Sequence, residues 1–218
     1  MQTYHAVLYI HLLALLTAVA VSGVIHVSDI EMRRAQTLGE VGRAGMRIKN
    51  AAMGFPIAVI GLLGSGLYMA HHLGWGWTAP WILAGEVGLF TIVAVGDAVN
   101  ARHGKKLGAA IGAAMARGGD GPVTEEVKEL LDDPIAKFTS VMPTLLALGV
   151  VYVMTEKPGA LGSALALAIA FASAAVVGPL MLRAPKPVAE APAEASAAEP
   201  VPDAATVAPQ AEGEGAPA

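Results

Sequence analysis

Long apolar runs, separated by charged segments, dominate the chain. The first run, residues 4–27, contains no Asp, Glu, Lys or Arg, and about 20 apolar residues suffice to cross the hydrocarbon core of a bilayer. No basic residue precedes this run and no A-x-A pattern follows it, so we expect a retained helix rather than a signal peptide. Four similar runs follow, at residues 51–72, 80–100, 138–155 and 160–182. The pattern predicts an all-α bundle of five membrane-spanning helices.

Small residues and prolines punctuate these runs. Pro143 is expected in the first turn of the fourth helix, where a missing N–H is tolerated. The second run carries four glycines that predict a close-packing face: Gly54, Gly61, Gly64 and Gly66. The glycine-rich second and fifth helices could face each other or another copy in a homo-oligomer or membrane complex.

The basic residues lie almost entirely on one side of the predicted spans. All of the 14 Lys and Arg residues except Lys157 fall in residues 28–50, in residues 101–140 or after residue 182. Because cytoplasmic loops retain Lys and Arg, we expect the N-terminus outside and the C-terminus inside. Three tryptophans near the loop before the third run would form an aromatic belt at the outer surface: Trp75, Trp77 and Trp81.

The segments between the runs carry weaker patterns. Residues 38–48 form a basic amphipathic stretch that either extends the second span or lies on anionic lipid; the extension is the simpler interpretation. Thr124 is placed to cap a short surface helix, whereas the glycine-punctuated residues 108–121 indicate a flexible segment. We therefore expect a helical membrane domain over residues 1–183, followed by an Ala/Pro/Glu-rich, disordered cytoplasmic tail at 184–218.

Composition agrees with this class and excludes others. Hydrophobic residues make up 55% of the chain and charged residues 15%, which is unusual for a soluble domain. A net charge of −4 without a basic groove argues against nucleic acid as a partner. The absence of cysteine removes disulfides, thiol catalysis and Cys-ligated metals.

Ionisable residues inside a span carry a free-energy cost, so each is a candidate for function. At about 1.5 Å per residue, His11, Ser65 and Glu86 all lie roughly 8–10 Å below the outer surface. We therefore predict a polar cluster in the outer half of the bundle, in which His11 and Glu86 satisfy each other directly or through a shared ligand or water. Tyr68 and His72 share a helical stripe with Ser65 and extend this cluster.

The third run contains a second polar set. Glu86 and Asp97 are eleven residues apart, close to three helical turns, and therefore share a face on which Asn100 lies nearby. This face is predicted to point into the bundle. It could carry protons, or it could fix helix packing through hydrogen bonds.

Among the histidines, only His11 lies deep in a predicted span. A histidine there can ligate haem iron or another metal, relay protons, or donate a hydrogen bond. His71 and His72 lie near the outer surface and are the candidates for a second ligand. His26 lies near the inner surface, where a solvated interfacial histidine is the ordinary explanation. No H-E-x-x-H motif is present, so no metal site is assigned with confidence.

Three short motifs resemble a known family. They are Tyr9-Ile10-His11-Leu12-Leu13-Ala14, Pro80-Trp81-Ile82-Leu83-Ala84, and Tyr152-Val153-Met154-Thr155-Glu156-Lys157-Pro158-Gly159. Together they are similar to a family of uncharacterised bacterial integral membrane proteins that is distantly related to copper-resistance D proteins and HemJ-type protoporphyrinogen oxidases.

The resemblance implies a membrane fold, location in the bacterial inner membrane, and haem binding by a first-span histidine, matched here by His11. The HemJ-type relatives also carry a lysine after a Trp-Leu motif. Gly85 stands at that position here, beside Glu86, so the second element of the pattern is missing.

Three hypotheses about function follow. The first is a redox-linked protein that binds haem b or a copper-like ion in the outer half through His11, with His71 or His72 as second ligand and Glu86 accepting a hydrogen bond. The second is an accessory or structural membrane subunit without a cofactor. The third is proton-coupled or ion translocation along Glu86, Asp97 and Asn100. Whether the protein is an enzyme stays open.

Overall fold

A computed structural model describes residues 2–182, and every regular element among them is helical. The helices are α1 (Gln2–Arg34), α2 (Leu38–Ala52), α3 (Phe55–His72), α4 (Pro80–Val95), a π-helical segment (Gly96–Asn100), α5 (Ala101–Gly118), α6 (Glu125–Asp132), α7 (Pro134–Glu156) and α8 (Ala160–Met181). The predicted all-α bundle is confirmed. The predicted disordered tail lies outside the described residues.

Five helical stretches of the described chain are long and apolar enough to cross a membrane. They cover residues 3–34, 38–72, 80–118, 134–156 and 160–181. Many large apolar side chains on their outward faces are exposed, as contact with lipid requires. Which end of the bundle faces the cytoplasm stays a prediction. The terms outer and inner refer to this predicted orientation.

The first helix is longer than predicted. A loop was expected from residue 28, but α1 continues to Arg34. The extra turns are held by packing, because Met32 is 7% exposed and belongs to an apolar cluster shared with α2, α5 and α6. The hydropathy pattern predicted the end of α1 too early, because residues 28–34 pack against protein rather than lipid.

That apolar cluster organises the inner side of the molecule. Its core consists of Met32, Leu38, Val41, Ala44, Leu107, Ala110, Ile111, Ala114, Val127 and Leu131. The amphipathic stretch 38–48 therefore forms α2, whose apolar face packs against protein, and a turn at Met53–Gly54 separates it from α3.

The prediction of a flexible segment at residues 108–121 is wrong for most of its length. Residues up to Gly118 belong to α5, because Leu107, Ala110, Ile111 and Ala114 recur at helical spacing and are buried in the inner cluster. The short helix after Thr124 is confirmed as α6, although the Thr124 side chain caps no described N–H group.

The fourth spanning helix begins earlier than predicted. The Asp133 carboxylate accepts a hydrogen bond from the backbone N–H of Ile135, and Pro134 takes the first helical position, where proline is favoured. As a result Pro143 lies inside α7 and not in its first turn, so the expectation for this residue was wrong.

Glycines bring neighbouring helices into close contact. A Cβ on Gly61 would lie 2.8 Å from the Cβ of Ala14, so α1 and α3 approach closely there, whereas a Cβ on Gly64 would meet nothing within 4 Å. In the same way, a Cβ on Gly149 would lie 2.8 Å from the Cβ of Ala170 in α8. The two glycine-rich helices, α3 and α8, thus pack on different neighbours within the chain.

Candidate functional site

The structure brings His11 and Ser65 together in the outer half. His11 Nδ1 lies 2.9 Å from Ser65 Oγ, across the α1–α3 interface. Ser65 is 7% exposed and His11 is half-buried. Gly66 lies beside the imidazole, where a Cβ would make an ordinary van der Waals contact of 3.6 Å with His11 Cε1.

The hydrogen bonds of Ser65 define the role of each imidazole nitrogen. Its hydroxyl donates to the backbone carbonyl of Gly61, one turn earlier in α3. A hydroxyl has one proton, so Ser65 Oγ accepts from His11 Nδ1–H. The neutral imidazole then carries its lone pair on Nε2, and no described side chain hydrogen-bonds to that atom.

The other outer histidines lie near the end of α3. The His72 ring stacks on Tyr68, with centroids 5.7 Å apart and planes 10° apart. The His71 ring lies 6.3 Å from that of Trp77. Ser65 and His72 are seven residues apart, a rise of about 10 Å along α3. His11 lies at the level of Ser65, and no ring contact among the described residues joins it to His71 or His72.

Glu86 lies apart from His11. Among residues 2–182 it forms no hydrogen bond or ion pair, and the expected direct contact with His11 is absent. The reason is the pairing of helices, because α4 packs chiefly against α7 and α8 whereas α1 packs against α2 and α3. Equal depth did not make the two residues neighbours.

Asn100 satisfies a backbone group that Pro143 leaves free. In a regular α-helix the N–H of residue 143 would donate to the carbonyl of Thr139, but proline has no N–H. Asn100 Nδ2 donates to that carbonyl at 3.2 Å instead. Asn100 is the last residue of the π-helical segment, and Asp97 also belongs to this segment. The α-helical spacing that predicted Asp97 and Asn100 on one face with Glu86 thus ends at Val95.

Lys157, the one basic residue predicted outside, lies against the aromatic belt. Its Nζ is 4.1 Å from the ring centroid of Trp75 and 5.3 Å from that of Trp81. The two indoles pack edge to face, with centroids 5.0 Å apart. This cation–π contact joins the end of α7 to the start of α4.

A second polar cluster, not predicted from the sequence, lies at the inner end of α1 and α7. His26 Nε2 is 2.7 Å from Thr144 Oγ1, and Ser140 donates to Asp29 Oδ2 at 2.8 Å. Asp29 also pairs with Arg33, with Nε and Oδ1 3.2 Å apart. These two charged side chains are only 6% and 9% exposed.

The location of this cluster changes two expectations. His26 was predicted to be solvated, but it is partly buried against α7. Asp29 and Arg33 were expected in a loop, although their i, i+4 spacing is the pattern of a helical ion pair and could have revealed them.

Among residues 2–182, one surface groove lies between α5 and α6 and another between α1 and α2, and His11 lines neither of them. Within residues 2–182 no group of three or more His, Asp and Glu side chains is placed to hold a metal ion. Comparison of the chain with protein-family models, with curated proteins and with solved structures finds no match.

Proposed function

We propose that the protein is a redox-linked membrane protein that binds haem b in the outer half of the bundle, where His11 would hold the group. The observation that carries this proposal is the orientation of the imidazole by Ser65. Metal-ligating histidines usually donate one ring N–H to a fixed acceptor, which holds the ring and leaves the other nitrogen free for the metal. His11 has this arrangement, with Nε2 as the free nitrogen.

The geometry favours a single protein ligand. Two histidines on one iron bring their ligating nitrogens to within about 4 Å, since each metal–nitrogen bond is about 2 Å. The backbone of His72 lies about 10 Å beyond Ser65 along α3, and the His72 ring is engaged by Tyr68. His71 and His72 are therefore left out of the proposal, and His11 is the one residue that would hold the haem.

The residues around His11 would supply orientation and exclude water. Ser65 would hold the tautomer, and the exposed Leu12 and Leu13 would present an apolar surface to lipid. Haem would supply the electron-transfer chemistry.

The test is the absorption spectrum of protein purified in mild detergent from haem-supplemented cells. We expect a Soret band in the wild type, its loss in His11→Ala and its retention in His5→Ala, a matched change at the exposed outer end of the same helix. Ser65→Ala should keep the band but shift the reduction potential, because the ligand loses its hydrogen-bond acceptor. No Soret band, or equal losses in both histidine variants, would overturn the proposal.

An accessory or structural subunit is the second candidate. It is favoured by the Asn100–Thr139 bond and the Ser140–Asp29 bond, both of which join helices. It predicts a colourless protein whose polar variants change stability alone. Translocation along Glu86, Asp97 and Asn100 is less favoured, because the Asn100 amide donates to the backbone carbonyl of Thr139.

A further inference from the structure

A groove between the first two helices has the chemistry of a lipid site. It has a volume of about 420 Å³ and is lined by Ala20, Val21, Val24, Arg47, Asn50 and Ala51. Four of these side chains are aliphatic, and the two polar ones lie three residues apart on α2. The groove thus has an apolar part and one polar end.

The position of the groove along the helices matches the boundary of a bilayer. Ala20, Val21 and Val24 belong to the first apolar run, whereas Arg47 and Asn50 precede the Met53–Gly54 turn, after which α3 carries no Asp, Glu, Lys or Arg. Its apolar walls therefore lie at the depth of acyl chains and its polar end at the depth of headgroups.

The charges at the polar end favour an anion. Arg47 pairs with Glu31 through Nη2, and both side chains are 52% exposed. Arginine has five N–H donors in a fork that suits phosphate oxygens, and this pair uses one of them. Arg43 and Lys49 on the same helix are also exposed and add positive charge nearby.

We propose that this groove binds one anionic phospholipid, with the headgroup phosphate on Arg47 and Asn50 and part of an acyl chain along α1. Glu31 is the competitor for Arg47, so it limits the affinity of the site. The lipid would cover an apolar surface that the helices of this chain leave open, and would hold α2 at the membrane surface.

Native mass spectrometry of the full chain, titrated with phosphatidylglycerol or phosphatidylcholine, tests this. We expect tighter binding of phosphatidylglycerol, about five-fold weaker binding in Arg47→Gln, and tighter binding in Glu31→Gln. The five-fold change corresponds to about 1 kcal/mol, the approximate attraction of one basic residue to an anionic surface. Arg117→Gln is the matched control, because Arg117 is an exposed arginine near an acid, Glu126, at 3.9 Å, and its loss should leave the affinity unchanged.

Arg47→Gln and Glu31→Gln break the same ion pair but are expected to change the lipid affinity in opposite directions. If breaking the pair merely disturbed the fold, both changes would weaken lipid binding, and that result would overturn the proposal. Equal effects of Arg47→Gln and Arg117→Gln would show only a general charge effect and also overturn it. Inorganic phosphate should not displace the lipid, since it lacks the acyl chain; displacement by phosphate would contradict a lipid site.

Discussion

Replacing Asn100 by leucine is expected to destabilise the protein because it leaves the carbonyl of Thr139 without a hydrogen-bond donor. Pro143 cannot donate to this oxygen, and Asn100 Nδ2 is its donor. Thr139 is 4% exposed, so water cannot readily substitute. A buried polar group without a partner costs about 1–3 kcal/mol, and more in a membrane interior. We expect a loss of about 2 kcal/mol in the free energy of unfolding.

A double-mutant cycle isolates this interaction. Pro143→Ala restores an N–H that can donate to the Thr139 carbonyl within α7. Adding Asn100→Leu to Pro143→Ala should therefore cost much less than Asn100→Leu alone, giving a coupling of about 1–2 kcal/mol. The assay is equilibrium unfolding in one mixed-micelle system, followed by circular dichroism.

Thr91→Val is a control for removing a polar group from a spanning helix, because the Thr91 hydroxyl bonds only to its own helix at Val87. Its effect should be small. If Asn100→Leu costs the same in both backgrounds, the side chain acts through something other than the carbonyl freed by Pro143, and the reasoning is refuted.

Two further predictions concern packing and charge. Arg33→Met should lower the free energy of unfolding by about 3 kcal/mol, because it leaves the buried Asp29 carboxylate without its counterion, and adding Asp29→Asn should recover part of the loss; simple additivity in thermal unfolding would contradict the pair. Gly61→Val should cost about 1–3 kcal/mol because the side chain would collide with Ala14, whereas Gly64→Val should be tolerated; equal melting temperatures of the two variants would mean that α1 and α3 do not pack through Gly61.

The membrane architecture was predictable from local pattern because each span is a long apolar run. The end of α1 was missed for the same reason: from Ser28 to Arg34 the helix is stabilised by contacts with α2, α5 and α6, which hydropathy does not report. In α5 the glycines suggested flexibility, but four apolar residues at helical spacing decided the structure.

The candidate site was predictable only in part. Counting residues from the outer surface placed His11, Ser65 and Glu86 at the same depth. His11 and Ser65 meet because α1 packs on α3, whereas α4 packs on α7 and α8, which keeps Glu86 apart from His11. The role of Asn100 depends on a π-helical turn, which has no sequence pattern, and on Pro143. The sequence shows that Pro143 leaves the carbonyl four residues earlier without its helical donor. It does not show which residue donates to that carbonyl instead.

Single-cysteine labelling tests whether the protein is a five-span bundle with its N-terminus outside. The chain has no cysteine, so Thr78→Cys, Ala116→Cys and Gly159→Cys can each be labelled in whole cells with a membrane-impermeant maleimide. All three positions are exposed. With the N-terminus outside, we expect labelling of Thr78→Cys and Gly159→Cys in intact cells and of Ala116→Cys only after permeabilisation. Labelling of Ala116→Cys in intact cells, or protection of the other two, would contradict it.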